Sequence, residues 1–155
     1  VVAEAAALIQ VNRTWMTASR LTREIASELA QVDLRNTVIL NLPDNFMGAY
    51  VFRNGIDRAA TIFQGRAWIC EPPVICLHDV HSLGEYFACS LSEGGATVTM
   101  PPGFCIRELE DCGFDVRVEG SVLTVMDRDS SSLEGKTIVS YRGASSTPIL
   151  EIIQD

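Results

Sequence analysis

The chain has little positive charge of the kind that holds polyanions. Only one of its twelve basic residues is a lysine, Lys136, and they face twenty acidic residues for a net charge of −8. Nucleic-acid binding needs basic side chains to displace phosphate counterions, and anionic lipid makes the same demand, so both partner classes are disfavoured. The acidic surplus is uneven. Residues 1–78 carry seven basic and seven acidic side chains, and residues 79–155 carry five and thirteen.

Other signals are missing. None of the five cysteines sits in a C-x-x-C pair, so structural zinc is not expected. Their odd number leaves at least one thiol free in a monomer. The expectation is small buried core residues, with a disulfide among Cys70, Cys76, Cys89, Cys105 and Cys112 open if the domain lies outside the cytoplasm. No run of 18 apolar residues could span a bilayer, and no charged segment followed by an apolar stretch marks a signal peptide. The sequence starts at Val1 rather than Met, which suits a piece of a longer protein whose other part carries any targeting or membrane segments. There is no G-x-G-x-x-G, no P-loop lysine, no nucleophile elbow around Ser90 or Ser130–Ser132, no internal repeat and no low-complexity tract. No cofactor and no catalytic residue is therefore expected.

What is present is a globular composition, 47% hydrophobic and 21% charged over 155 residues, the size of one domain with an ordinary core. Residues 3–31 have the strongest periodicity. Leu8, Trp15, Thr22 and Leu29 fall seven apart, with Ala18, Leu21 and Ile25 between them. This predicts one long helix, or two nearly continuous ones with Asn12 capping the second, and Trp15 as a core anchor. Thr37–Leu42 is a continuous aliphatic and β-branched run, the pattern of a strand buried on both faces, and Pro43 is expected to end it. Gly48 provides a permissive link. Asn54-Gly55 opens an expected helix with Ile56, Ala59, Ala60 and Phe63 inward and Gly65 at its end. Trp68–Cys70 reads as a short strand and Val74–Leu77 as a second buried one.

Beyond Gly84 the pattern alternates. Glu85–Ser92 with Ala96–Met100, and Phe114–Val118 with Val122–Met126, read as hairpins. Phe104–Cys112 reads as a helical turn with Ile106 and Leu109 inward, and Thr137–Tyr141 and Pro148–Ile153 as the last strands. The expected fold is α+β or α/β in one domain. Residues 1–84 would form a helix-strand-helix-strand layer, a Rossmann-like half, and residues 85–155 antiparallel β hairpins.

The two buried strands each end near a carboxylate, Asp44 and Asp79, and in an open α/β sheet that edge is where ligands bind. Asp44, Arg53, Asn54, Asp79 and His81 are the candidate ligand-binding residues of that crevice. Like carboxylates held close split their pKa values, which is the basis of acid/base pairing; turn-forming carboxylates are the plainer reading. His78 and His81 flank Asp79, but a His-x-x-His at a strand end lacks the i, i+4 geometry and a third ligand, so no metal site is expected. Gly48–Gly55 with Arg53 offers backbone amides near a helix start but matches no phosphate motif. Residues 127–135 have calcium-loop composition without the Gly and Glu at the required steps.

Asn41-Leu42-Pro43-Asp44, followed by Gly48-Ala49-Tyr50-Val51-Phe52-Arg53-Asn54-Gly55, resembles a motif in the soluble C-terminal region of bacterial multi-spanning membrane proteins of the glycosyltransferase, mannosyltransferase-like type. Such regions begin with a helix carrying Asn and Trp, as Asn12 and Trp15 stand here. The resemblance covers roughly residues 8–65 and leaves the β-rich remainder unmatched. It implies an accessory, non-catalytic binding or positioning domain, with catalytic carboxylates elsewhere in the parent. It places the domain on the extracytoplasmic side of a bacterial membrane, tethered through upstream segments and partnered by the rest of the parent or by a glycan. A free segment would instead be cytoplasmic. The alternative is a small α/β enzyme or nucleotide-sugar-binding domain using the crevice at the carboxyl ends of strands 37–42 and 74–77.

Overall fold

The computed structural model describes residues 2–52, 72–110, 112–128, 133 and 135–154. Its first element is a single helix, α1, Val2–Leu29, 28 residues without interruption. Asn12 lies within it and caps nothing. Its buried residues, Ala18, Leu21, Ile25, Ala26 and Leu29, all belong to the second half. Trp15 is 48% exposed and Leu8 61%, so Trp15 is not the core anchor its spacing suggested. Helical periodicity marks which side is apolar. Burial further requires a neighbour, and α1, at about 42 Å, is longer than the roughly 33 Å of the strand it crosses.

A 3₁₀ turn at Leu34–Asn36, capped by Asp33, leads into β1, Thr37–Phe46. The other strands are β2 (Ala49–Tyr50), β3 (Val74–Val80), β4 (Ala88–Ser92), β5 (Gly95–Thr99), β6 (Cys105–Leu109), β7 (Phe114–Glu119), β8 (Val122–Asp127), β9 (Thr137–Tyr141) and β10 (Leu150–Gln154). They form a six-stranded mixed sheet, order β10-β9-β1-β3-β6 with β2 paired to β1, and a four-stranded antiparallel sheet, order β4-β5-β8-β7. The fold is thus α+β. Among the described residues there is one α-helix and no helix-strand-helix-strand alternation, so the Rossmann-like half does not describe it. The helix expected over residues 54–65 and the strand over 68–70 lie outside the described residues.

β1 is the axis of the large sheet. It runs parallel to β3 on one side and to β9 on the other, and it is buried at all ten positions, as its aliphatic run requires of a strand covered on both faces. Pro43 does not end it. The strand continues to Phe46 through a shift in pairing register between Pro43 and Asn45, the irregularity that a residue lacking an N–H imposes on a ladder. β1 then turns into β2 through Met47-Gly48, both at positive φ (49° and 87°), the backbone of a two-residue hairpin loop.

The second half of the chain divides between the sheets. β6, β9 and β10 join the large sheet, and only β4, β5, β7 and β8 form the small one. Cys105–Leu109 is therefore a strand and not a helical turn, and Leu109 is exposed rather than inward. Pairing along the free edge of β3 decides this, a tertiary effect that a short apolar pattern does not carry. In the small sheet Ala96, Val98, Leu123 and Val125 are buried and share one contiguous core with α1, β1, β3 and β9. The Glu28 carboxylate fixes α1 to the start of β10 by accepting the N–H groups of Ile149 (3.0 Å) and Leu150 (2.8 Å).

Candidate functional site

Because β1, β3 and β9 are parallel, their carboxyl ends share one rim. There the segment after the β1–β2 hairpin and the loop after β9 meet α1, and the loop after β3 meets the loop after β9 where the Ser145 hydroxyl donates to the Leu83 carbonyl at 2.8 Å. Thr22 donates to the Val51 carbonyl at 3.2 Å, and Arg20 to that of Ala144 at 3.4 Å. The strands expected to lie side by side do so, in the same direction, with Asn41 opposite Cys76 and Asn45 opposite Asp79.

Two polar clusters occupy this end, and neither was legible as such in the sequence. The first is buried. Asn41 on β1 accepts from the Ser140 hydroxyl at 2.7 Å and from the Tyr141 N–H at 3.1 Å, and donates to the Tyr141 carbonyl at 3.2 Å. Its side chain completes the β1–β9 ladder where the register slips between Ile39 and Asn41. Asn41 Nδ2 also lies 3.4 Å from His78 Nε2, and His78 Nδ1 lies 3.3 Å from the Asp79 carbonyl. This assigns the imidazole as neutral: Nδ1–H donates to the carbonyl and Nε2 accepts from the amide. The ring stacks on Phe87, with centroids 4.3 Å apart, beside Tyr141. Burial pushes the His78 pKa down to about 4 against the smaller opposing effect of Asp79. His78 is a core residue, not part of a surface His-x-x-His pair.

The second cluster joins three neighbouring strands. Asp79 on β3 is almost wholly buried and receives Arg107 of β6 in a fork: Nε at 2.7 Å to both carboxylate oxygens and an Nη at 2.5 Å. The Asn45 amide on β1 also donates to Asp79, and at 3.4 Å to Asp44. The amide carbonyl of Asn45 accepts the Gly48 N–H, tying the cluster to the hairpin loop. Arg107 is held firmly in its charged form, first by its bonds to Asp79 and then by the charge there, with Asp44 adding a smaller part. Asp44 and Asp79 therefore do converge, on one amide group. Asp79, however, is already spanned by a guanidinium and an amide, which engage both of its carboxylate oxygens.

His81 lies on the exposed loop after β3. Its backbone N–H donates to both Glu85 carboxylate oxygens, at 3.1 and 3.0 Å, and no described contact joins it to Asp79. Arg53 and Asn54 lie outside the described residues. Sequence reading missed Arg107, Asn45 and Asn41. The one available hint was Arg107 at the centre of the short Cys105–Leu109 segment, beside Glu108.

Among the described residues no group of three or more His, Cys, Asp or Glu is placed to hold a metal ion. Burial pushes the Cys76 thiol up to about 12 and that of Cys89 up to about 11. Neither is an activated nucleophile. No helix among the described residues is long and apolar enough to cross a membrane.

Comparison with protein-family models, curated proteins and solved structures returned no significant match.

Proposed function

We propose that this domain is a non-catalytic binding or positioning module of a longer bacterial membrane protein, glycosyltransferase-related, held on the extracytoplasmic side through segments upstream of Val1. The observation that carries the reading is the commitment of Asp79. The better buried of the two rim carboxylates is bound by Arg107 and Asn45, so it stabilises the junction of β1, β3 and β6 and does not serve as a general base. His78 is likewise engaged in the core. The Asn41–Asp44 and Gly48–Phe52 motif that resembles such domains forms β1 and the hairpin after it, which here has a structural part to play.

One observation favours the alternative of a small enzyme or nucleotide-sugar binder: the shared contact of Asp44 and Asp79 with Asn45, which brings two carboxylates to the rim. Thermal shift against nucleotide sugars, with and without Mg²⁺ or Mn²⁺, separates the two. The module reading predicts a flat profile. A saturable rise in Tm that Asp44→Asn abolishes would replace it with the binding-site reading.

A further inference from the structure

Among the described residues, none forms a covering layer over the first half of α1. Residues 2–17 project roughly 24 Å past the contacts of Arg20 and Thr22 with the rim, and every large apolar side chain on them is exposed. Val2 is 85% exposed, Ile9 53% and Met16 72%; beside them Leu8 is 61% and Trp15 48% exposed. A solitary helix of this length is marginal in water, since helices in proteins are stabilised mainly by packing one face.

The exposed residues are ordered. Val2, Ile9 and Met16 form a row of seven-residue spacing, Leu8 and Trp15 a second, and Ala5, Asn12 and Ser19 run between. At 100° per residue Asn12 lies about 130° round the helix from the buried Ala18 and Ile25. The Val2–Ile9–Met16 row therefore faces away from the body, whereas the Leu8–Trp15 row leads on to Thr22 and the buried Leu29; among the described residues both rows are exposed beyond the body. A shallow surface groove beside the C-terminal end of these rows is lined by Trp15, Met16, Thr17, Ser19, Arg20 and Arg23, with Asn12 at its edge. Apolar rows repeating every seven residues fit a second helix.

We propose that this stripe is a homodimer interface, in which α1 of one chain packs along α1 of a second copy. Three observations select a second copy. The rows hold no charged residue from Val2 to Ser19, and their polar centre, Asn12, carries both a donor and an acceptor, so it pairs with itself across a two-fold axis. The stripe's five large apolar side chains, each 48–85% exposed, supply the apolar core that a paired-helix interface buries. A lipid surface is disfavoured, because residues 2–17 hold one acidic and one basic side chain, Glu4 and Arg13, with no basic flank for anionic headgroups. The proposal does not depend on a membrane parent.

Sedimentation equilibrium of the 155-residue chain from about 1 to 100 μM tests it. A dimer is expected. Ile9→Glu with Met16→Glu should weaken it by at least about 100-fold, whereas Ala3→Glu with Gln10→Glu, equal in charge on the opposite face, should change it by less than about threefold. All four positions are exposed, so the Tm of the body should hold and report that each variant folds. Asn12→Leu should give tighter but mixed oligomers, the mark of a lost registering amide. A monomer at 100 μM overturns the proposal, whether or not it floats with anionic vesicles or captures another protein. So does a dimer weakened equally by both pairs of substitutions, or by neither.

Discussion

Mild acid should destabilise this protein through His78. The neutral imidazole is the folded form, its pKa pushed down to about 4 by burial, whereas in the unfolded chain it titrates near 6.5. Between those values the unfolded state binds the extra proton. The stabilisation is thus complete above pH 6.5 and is lost as pH falls toward 4. Linkage gives a slope approaching 1.4 kcal/mol per pH unit and a loss of about 2 kcal/mol between pH 7 and pH 5, before ordinary carboxylates begin to protonate. Urea unfolding at half-unit steps over that range measures it. His78→Gln retains an acceptor for Asn41 but cannot titrate in this range. It should cost about 1–2 kcal/mol at pH 7 and flatten the slope by close to one proton. An equal slope in the two proteins would refute the reasoning, because protonation would then not be opposed by burial against Phe87 and Tyr141.

Three other outcomes follow from single contacts. Gly143 sits at φ 148°, and a Cβ there would collide with the Glu85 backbone carbonyl, so Gly143→Ala should cost about 2–4 kcal/mol in urea unfolding. Glu28→Ala strands the Ile149 and Leu150 N–H groups and should cost about 2–3 kcal/mol, with hydrogen exchange rising first at the start of β10. Cys76 should resist a thiol reagent in the native state at pH 8 and react only on unfolding, since burial holds it protonated.

The parts of the fold that local chemistry dictates were readable in the sequence. The aliphatic run from Thr37 announced a doubly covered strand, Val74–Leu77 its parallel neighbour, and the paired alternating segments the hairpins of the small sheet. What was not readable depends on neighbours distant in the chain. β6 became a strand because β3 had an edge to pair. Trp15 stayed exposed because α1 outruns the sheet. Pro43 was tolerated because the register slips beside it. The site followed the same division. Asp44 and Asp79 could be singled out because strand-end carboxylates are a recognisable pattern, and both contact Asn45. The partners that decide their role, Asn45 and Arg107, come from different strands, and only the β1–β3–β6 order brings them together.

A double-mutant cycle on Asp79 and Arg107 tests most directly whether that carboxylate is structural. Arg107→Met leaves Asp79 buried without its counter-charge, Asp79→Asn removes the charge, and the double variant removes both. Arg107 is itself about half exposed, which places the pair between surface ion pairs worth under ~1 kcal/mol and fully buried ones whose breakage costs ~3–5 kcal/mol. The account predicts a coupling energy of about 2 kcal/mol, with Arg107→Met the more damaging single change. A coupling below about 0.5 kcal/mol, with Arg107→Met folding as stably as wild type, would contradict it and return Asp79 to the chemistry of the rim.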